Sequence, residues 1–379
     1  MNIIRFLAAL LFVVSFSTAY GQKKLIDKFL SNSTDSSRKE RFLVLPALGY
    51  AQETGLEIGI VSLTSFYTEK TDTLTRSSNI SAIATFTTKK QFNLVLRPDI
   101  WSPNNRYHYL GEIRYKDFPF NFYGIGNRTL EADEDVIIQK FIRVNAEVEK
   151  QIRKGIYTGV SLDYEHYRYS DKEPGGIYET GGSLIRDKDG GQALFLGLSQ
   201  IIDTRNTNTY STRGVYVKAS YSYAPDFFGG ENFAGSLLKL DFRSFKSYSP
   251  KSVLGINFVY QSLQGNKTPF YLYPQLGNDQ VMRGYYTGRY RQQNLMAAQA
   301  EFRYRFMPRF GLAGFAGAGN VYTNGSFSLE DFKPSYGAGF RYFVEPSRGL
   351  TIRLDYAYGE KRRGEERQKG FYLSLAEAF

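Results

Sequence analysis

From Phe42 to the last residue, apolar and polar side chains alternate in one run after another, which restricts the chain to extended strands with one greasy and one wet face. Ile142, Val144, Ala146 and Val148 interleave with Arg143, Asn145, Glu147 and Glu149. Val215, Val217, Ala219, Tyr221 and Tyr223 alternate with Tyr216, Lys218, Ser220 and Ser222, and Leu350, Ile352, Leu354, Tyr356 and Tyr358 with Thr351, Arg353, Asp355 and Ala357. A β-sandwich would bury the apolar set in a core, whereas a membrane barrel would turn it toward lipid. Periodicity alone does not choose between them.

Connection lengths do. About sixteen strand cores are expected, from 42–51 to 369–379, an even number as in single-chain bacterial barrels. Short links such as Arg153-Lys154, Ser249-Pro250 and Pro308-Arg309 follow even strands, while long ones, 119–135, 170–190, 265–291 and 359–368, follow odd strands. Short turns at one end and long loops at the other are the habit of outer-membrane barrels, and they place both ends of the barrel chain in the periplasm. Two short-side links, 69–77 and 203–213, are longer than that rule wants. The chain also carries 30 Tyr, 30 Phe and 36 Gly but no Cys, which suits a membrane barrel and excludes disulfides and thiolate-bound metals.

Ahead of the strands, Arg5 precedes an apolar run from Phe6 to Phe16, followed by Thr18, Ala19 and Gly21. This reads as a signal peptide over 1–21, because the run is shorter than the ~20 residues of a spanning helix. Residues 22–41 read as a short periplasmic tail with a brief amphipathic helix around Lys24 to Leu30. The formal charge of +11 fits a lumen rich in arginine or contact with phosphorylated lipopolysaccharide, and no nucleic-acid partner is expected of an exported chain.

The stretch GNDQVMRGYYTGRYRQQNLMAAQAEFRYR, Gly277 to Arg305, is a glycine- and arginine-rich loop running into a strand. Met296, Ala298, Ala300, Phe302, Tyr304 and Phe306 make that strand's greasy side, and Gln299, Glu301, Arg303 and Arg305 its wet side. If the wet side is a barrel lumen, Arg283 can fold inward and pair with Glu301. Val281-Met282-Arg283-Gly284-Tyr285 followed by Glu301-Phe302-Arg303 resembles the lumen-loop signature of the BamA/TamA outer-membrane proteins, the bacterial surface antigen family. Other elements of that family appear in order. LPALGYAQETGLEIG, Leu45 to Gly59, resembles the first strand and turn. Asp203-Thr204-Arg205 with Gly214 resembles the Asp-x-Arg…Gly turn before the ninth strand. GFYLSLAEAF, ending in Phe379, resembles the recognition signal of outer-membrane barrels, although Glu377 interrupts its apolar row.

The resemblance implies an all-β, sixteen-stranded antiparallel transmembrane barrel over residues 42–379, with an inward-folded loop between the eleventh and twelfth strands. It implies a loop lock of Arg283, Gly284, Tyr285, Glu301 and Arg303, a periplasmic turn of Asp203, Arg205 and Gly214, and a seam bearing Pro46, Gly49, Gly370 and Phe379. The implied role is insertion or translocation of outer-membrane proteins or lipids, without covalent chemistry, cofactor or metal. The implied partners are outer-membrane lipid and lipopolysaccharide, separate periplasmic or lipoprotein chains, and unfolded client proteins. Three departures matter. Ser211 stands where the family often has Pro, and Gly317 where it often has Asp, so Arg283 must use Glu301 or another lumen acid. Only the 22–41 tail precedes the barrel, so a form lacking the periplasmic POTRA domains is expected.

Other readings stay open. Pro46 removes a ladder donor, as at a weak seam, or simply marks a strand entrance. Lumen charges at Arg97, Glu112, Arg114, Arg143, Glu147, Lys239, Asp241 and Arg243 would suit a passive or gated pore as well as a salt-bridged interior. An enzyme would have to use His108 or His166, and no nucleophile motif accompanies either. Asp133, Glu134 and Asp135 are a calcium candidate or a solvated loop. The basic run Lys361-Arg362-Arg363 near Arg367 and Lys369 could meet lipopolysaccharide phosphates.

Overall fold

The alternating runs form a sheet of sixteen antiparallel strands, each bonded to its neighbour in the chain. They begin with β1 (Arg41–Ala51), β2 (Gly55–Phe66), β3 (Ser78–Thr87), β4 (Phe92–Trp101), β5 (Tyr107–Phe122), β6 (Asp135–Arg153), β7 (Ile156–Asp171) and β8 (Gly190–Asp203). β9 (Gly214–Ala224), β10 (Gly235–Ser249) and β11 (Ser252–Gln264) follow. Two-residue strands β12 (Gln275–Leu276) and β13 (Tyr290–Arg291) pair within the next loop, and β14 (Asn294–Tyr304), β15 (Phe310–Tyr322), β16 (Lys333–Glu345), β17 (Leu350–Tyr358) and β18 (Lys369–Leu375) complete the sheet. This computed structural model describes residues 38–51, 55–182, 185–230, 232–347 and 349–379, so the expected signal peptide and the tail up to residue 37 lie outside the described residues.

The sheet rolls until its edge strands lie side by side. A β-carbon on Gly49 of β1 would stand 3.8 Å from the Leu373 carbonyl oxygen of β18. The faces separate as a barrel in lipid requires: Leu198 is 65% exposed, while Ser199, the next residue, is 5% exposed. Ile60, Ile113, Val160, Tyr221 and Phe302 share the outward face, while Glu149, Glu301, Arg303, Arg341 and Arg353 are buried inside.

Three features depart from the sequence expectation. β5 and β6 run beyond 106–117 and 138–152, with Phe118–Phe122 paired to Asp135–Gln139, so a wall projects past the other strands and shortens the loop between them. Arg305 is not in the lumen; it leaves the strand and donates from Nε to the Pro308 carbonyl at 3.1 Å. The last strand does not reach Phe379. It stops at Leu375, Ala376 takes a left-handed φ of 70°, and Phe379 turns inward against Phe245 and Val253. Glu377 gives the physical reason, since a carboxylate on the outward row would face hydrocarbon, whereas the turn carries it to Arg341 at 2.9 Å.

The two over-long links fold across the short-turn end. Tyr210, from the 204–213 link, packs edge-on against Phe343 of β16 with ring centroids 5.1 Å apart. Arg76, from the 67–77 link, donates to the Arg205 carbonyl at 3.2 Å.

Candidate functional site

The loop between β11 and β14 descends into the lumen. Its start, Phe270 and Tyr271, joins an aromatic cluster with Phe122, Tyr169 and Tyr178 on the projecting wall. The β12–β13 pair forms a neck, tied to the 123–134 loop by a bridge between Gly126 and Arg291. Leu276 and Tyr290 of the neck, with Met282 and Tyr285 of the loop beyond it, pack on Leu295, Ala297 and Val321 of the barrel wall. The tip needs Gly284: its φ is 103°, and a β-carbon there would lie 2.8 Å from the Tyr358 carbonyl carbon. That close approach lets the Gly284 amide donate to Tyr372 Oη of β18 at 2.9 Å. Gly370 makes the room, because a β-carbon on it would meet the same hydroxyl at 2.5 Å.

Arg283 points down from this tip and is wholly buried. Nη2 donates to Glu301 Oε2 at 2.7 Å, Nη1 donates to Asp355 Oδ2 at 2.6 Å, and the guanidinium lies 3.4 Å from the centre of the Phe315 ring. The sequence reading brought Arg283 and Glu301 together but left the second acid unnamed. Asp355 supplies it from the polar row of β17, where its alternation with Leu354 and Tyr356 was the available signal. Phe315 stacks beside it on β15, the strand that carries Gly317.

The same acids serve three further arginines. Arg303 donates to Glu301 Oε1 at 2.7 Å and to the Phe379 main-chain oxygen at 2.8 Å. Arg341 donates to Asp355 Oδ1 at 2.6 Å, to Glu377 Oε2 at 2.9 Å and to Glu301 Oε2 at 3.4 Å. Arg353 donates to Asp355 Oδ2 at 2.8 Å and to Asp279 Oδ2 of the loop at 2.7 Å. Charges taken out of water cost several kcal/mol each unless paired, so the cluster is stable only as a whole.

Other loops cover the inserted one. Tyr285 Oη donates to the Pro334 carbonyl at 2.5 Å and accepts from the Glu360 amide at 2.8 Å. Arg289 donates to Glu365 at 2.7 Å, and Arg362 donates to the Thr129 carbonyl. Arg362 of the basic run is therefore part of this cover, while Lys361, Arg363, Arg367 and Lys369 remain exposed. In the acidic stretch, Glu134 accepts from Tyr123 Oη at 2.7 Å and Asp135 from the Tyr178 amide at 2.8 Å. Among the described residues, no group of three or more His, Asp or Glu is placed to hold a metal.

Elsewhere in the lumen, Arg97 meets Glu112 at 2.7 Å, Arg114 meets Glu112 at 3.0 Å, and Arg143 pairs with Asp163. Glu147 is joined to Lys218 at 2.7 Å, and Arg243 donates to Asp241 at 3.0 Å; Lys239 lines the same wall. His108 stacks on Trp101 and joins Glu149 at 2.7 Å and Asp99 at 2.9 Å.

The turn residues also come together. Asp203 accepts from the Arg205 amide and Nε, each at 3.0 Å, and pairs with Arg76 of the neighbouring link. Gly214 has φ 101°, and a β-carbon there would lie 2.3 Å from the Thr204 oxygen. Ser211, standing where Pro is often found, donates to the Thr207 carbonyl at 2.8 Å. At the edge, Gly49 lies beside β18 and Pro46 is exposed on β1, paired with Ile60 of β2. Phe379 is absent from that edge, having turned into the lumen.

Comparison with known proteins agrees with this architecture. The truncated BamA of Haemophilus ducreyi, solved without POTRA domains 1–3, superposes with a TM-score of 0.58 at 13% identity, covering 96% of this chain and 78% of that one. CdiB of Acinetobacter baumannii gives 0.55 at 11% identity over 89% of this chain and 65% of that one. CdiB of Escherichia coli gives 0.56 at 9% over 88% and 62%, so this chain spans less than two thirds of either CdiB. No curated protein matches the chain by sequence. The Omp85 superfamily domain matches residues 73–379, from before β3 to the last residue, and with a sixteen-stranded barrel around an inserted, arginine-locked loop the chain belongs to the Omp85 superfamily of integral outer-membrane proteins.

Proposed function

We propose that this barrel inserts or translocates outer-membrane proteins, or lipids, together with periplasmic or lipoprotein partners supplied as separate chains. The short-turn end faces the periplasm in this reading, and the work is done where β1 and β18 meet, by hydrogen-bond exchange without covalent chemistry. The observation that carries it is the unequal edge: β1 has 11 residues and β18 has 7, because the chain leaves the sheet after Leu375. Two antiparallel strands of such different length cannot satisfy each other throughout, and unsatisfied strand groups accept an added strand. Pro46 weakens the edge further by lacking a donor.

A photo-crosslinking residue at Phe42 or Val44, both on β1 and more than half exposed, tests this in cells making outer-membrane proteins. Adducts with newly made barrel proteins, absent when the probe sits at Leu198, are expected. Adducts at neither β1 position, with the protein folded and abundant, sink the reading.

A second reading is favoured by a cavity of about 340 Å³ beside the loop, lined by Glu57, Lys116, Gln139, Asp279 and Tyr286. Space left in a polar lumen would suit a gated pore. Steady single-channel conductance of the unaltered protein supports it, whereas conductance appearing only in Arg283→Ala marks a plugged barrel.

A further inference from the structure

The arginine cluster holds two parts of the chain that have no common neighbour in sequence. One is the tip of the inserted loop, Asp279 to Tyr285. The other is β18 with its inward tail, Tyr372 to Phe379. Each part is bound to the other directly and through shared acids.

The direct contacts are hydrogen bonds. Tyr372 Oη accepts from the Gly284 amide at 2.9 Å and donates to the Tyr285 carbonyl at 3.4 Å, and Ser374 Oγ donates to Asp279 Oδ2 at 2.9 Å. The shared route runs through Glu301, whose two oxygens serve Arg283 of the loop and Arg303, the residue that holds the Phe379 oxygen. It also runs through Arg341, which binds Asp355 beside Arg283 with one nitrogen and Glu377 of the tail with another. Around these arginines Glu301, Asp355, Glu377 and Asp279 stand in ion-pair contact.

We propose that the seated loop and the inward tail form a single latch on the β18 side of the seam, so that unseating either one releases the other. The chemistry requires this because neither Arg283 nor Arg341 has an acid to itself: both draw on Glu301 and Asp355, and Arg341 shares Glu377 with Arg303. If Arg283 withdraws, Glu301 and Asp355 lose a cation, and Arg303 and Arg341 redistribute toward them and away from the tail. If Glu377 withdraws, Arg341 turns fully to Asp355 and Glu301 and competes with Arg283. A linkage of this kind is reciprocal by thermodynamic necessity. The purpose of the latch, control of the strand edge, rests on the function proposed above, but its existence does not.

Hydrogen–deuterium exchange on the full chain in lipid nanodiscs tests it, with folding of each variant checked by its heat-modifiable gel mobility. Ser335→Ala removes the 2.6 Å bond from Ser335 Oγ to the Arg283 carbonyl and loosens the loop without touching an ion pair. Glu377→Gln weakens the tail without altering its shape. Amides of 376–379 are expected to exchange faster in Ser335→Ala, and amides of 279–285 faster in Glu377→Gln, each by about five- to a hundredfold. Faster exchange confined to the altered side in both variants, or no change in either, overturns the latch. No client is present, so this outcome stands apart from whether β1 accepts a client strand. Should Glu377→Gln fail to fold, Ser374→Ala, which breaks only the contact with Asp279, takes its place with the same expectation.

Discussion

Arg283 and Asp355 meet at 2.6 Å although 71 residues, β13 to β16 among them, lie between them, and both are completely buried. Asp355 also carries Arg341 and Arg353, so its charge is shared three ways. Asp355→Asn keeps the size of the side chain and withdraws that charge. Leaving buried guanidiniums without a counter-ion costs about 3–5 kcal/mol. The urea midpoint of the folded barrel in detergent is expected to fall accordingly, while Glu366→Gln, which touches only the exposed pair with Lys369, should leave it within about 0.5 kcal/mol.

Gly284 and Gly364 offer a controlled comparison. Both have positive φ, 103° and 85°, but only Gly284 faces backbone at contact distance; nothing lies within 4 Å of a β-carbon on Gly364. Gly364→Ala carries conformational strain alone, of order 1 kcal/mol. Gly284→Ala adds a clash with the Tyr358–Gly359 backbone that only withdrawal of the tip relieves. Proteolysis of intact protein should therefore cut the 277–293 segment of Gly284→Ala at rates well above those of Gly364→Ala.

Much of this was legible in the chain and the rest failed for physical reasons. The strands could be read because each presents an unbroken alternation and the loops separating them differ in length. Arg283 and Glu301 could be paired because they sit in adjoining elements. Asp355 could not be named, since nothing local sets which strand lies opposite the loop tip; that depends on the curvature of the whole sheet. The fate of Phe379 was misread because a strand pattern continues to the last residue, and only the need of Glu377 for a cation breaks it. The floor formed by the 67–77 and 204–213 links was visible only as an unexplained excess of length.

That floor makes its own prediction. Asp203 holds both Arg205 of its own turn and Arg76 of the other link. Asp203→Asn weakens both contacts together and frees two basic residues at the short-turn surface. Trypsin added to the short-turn side of reconstituted protein should then cleave after Arg76 and Arg205 at least several-fold faster. Cleavage unchanged at Arg76 would mean that Trp101, on which Arg76 also rests at 4.9 Å, is enough to hold the link.

The outward face decides whether oil or water surrounds the cylinder. Leu198 lies near the middle of β8 and is the most exposed apolar residue of that strand, so in a bilayer it contacts hydrocarbon. Leu198→Arg should cost about 2–4 kcal/mol when folding is measured in lipid vesicles, the range for a cation at the midplane of a barrel wall. The same substitution at a water-facing site would change stability by less than about 0.5 kcal/mol. Tyr358, outward on β17 beside the long loops, gives the depth control: Tyr358→Arg places its charge at the interface, where the cost falls to roughly 0–1 kcal/mol. A large penalty at Leu198 with a small one at Tyr358 is the signature of a bilayer-spanning wall, and equal small penalties would place the whole face in water.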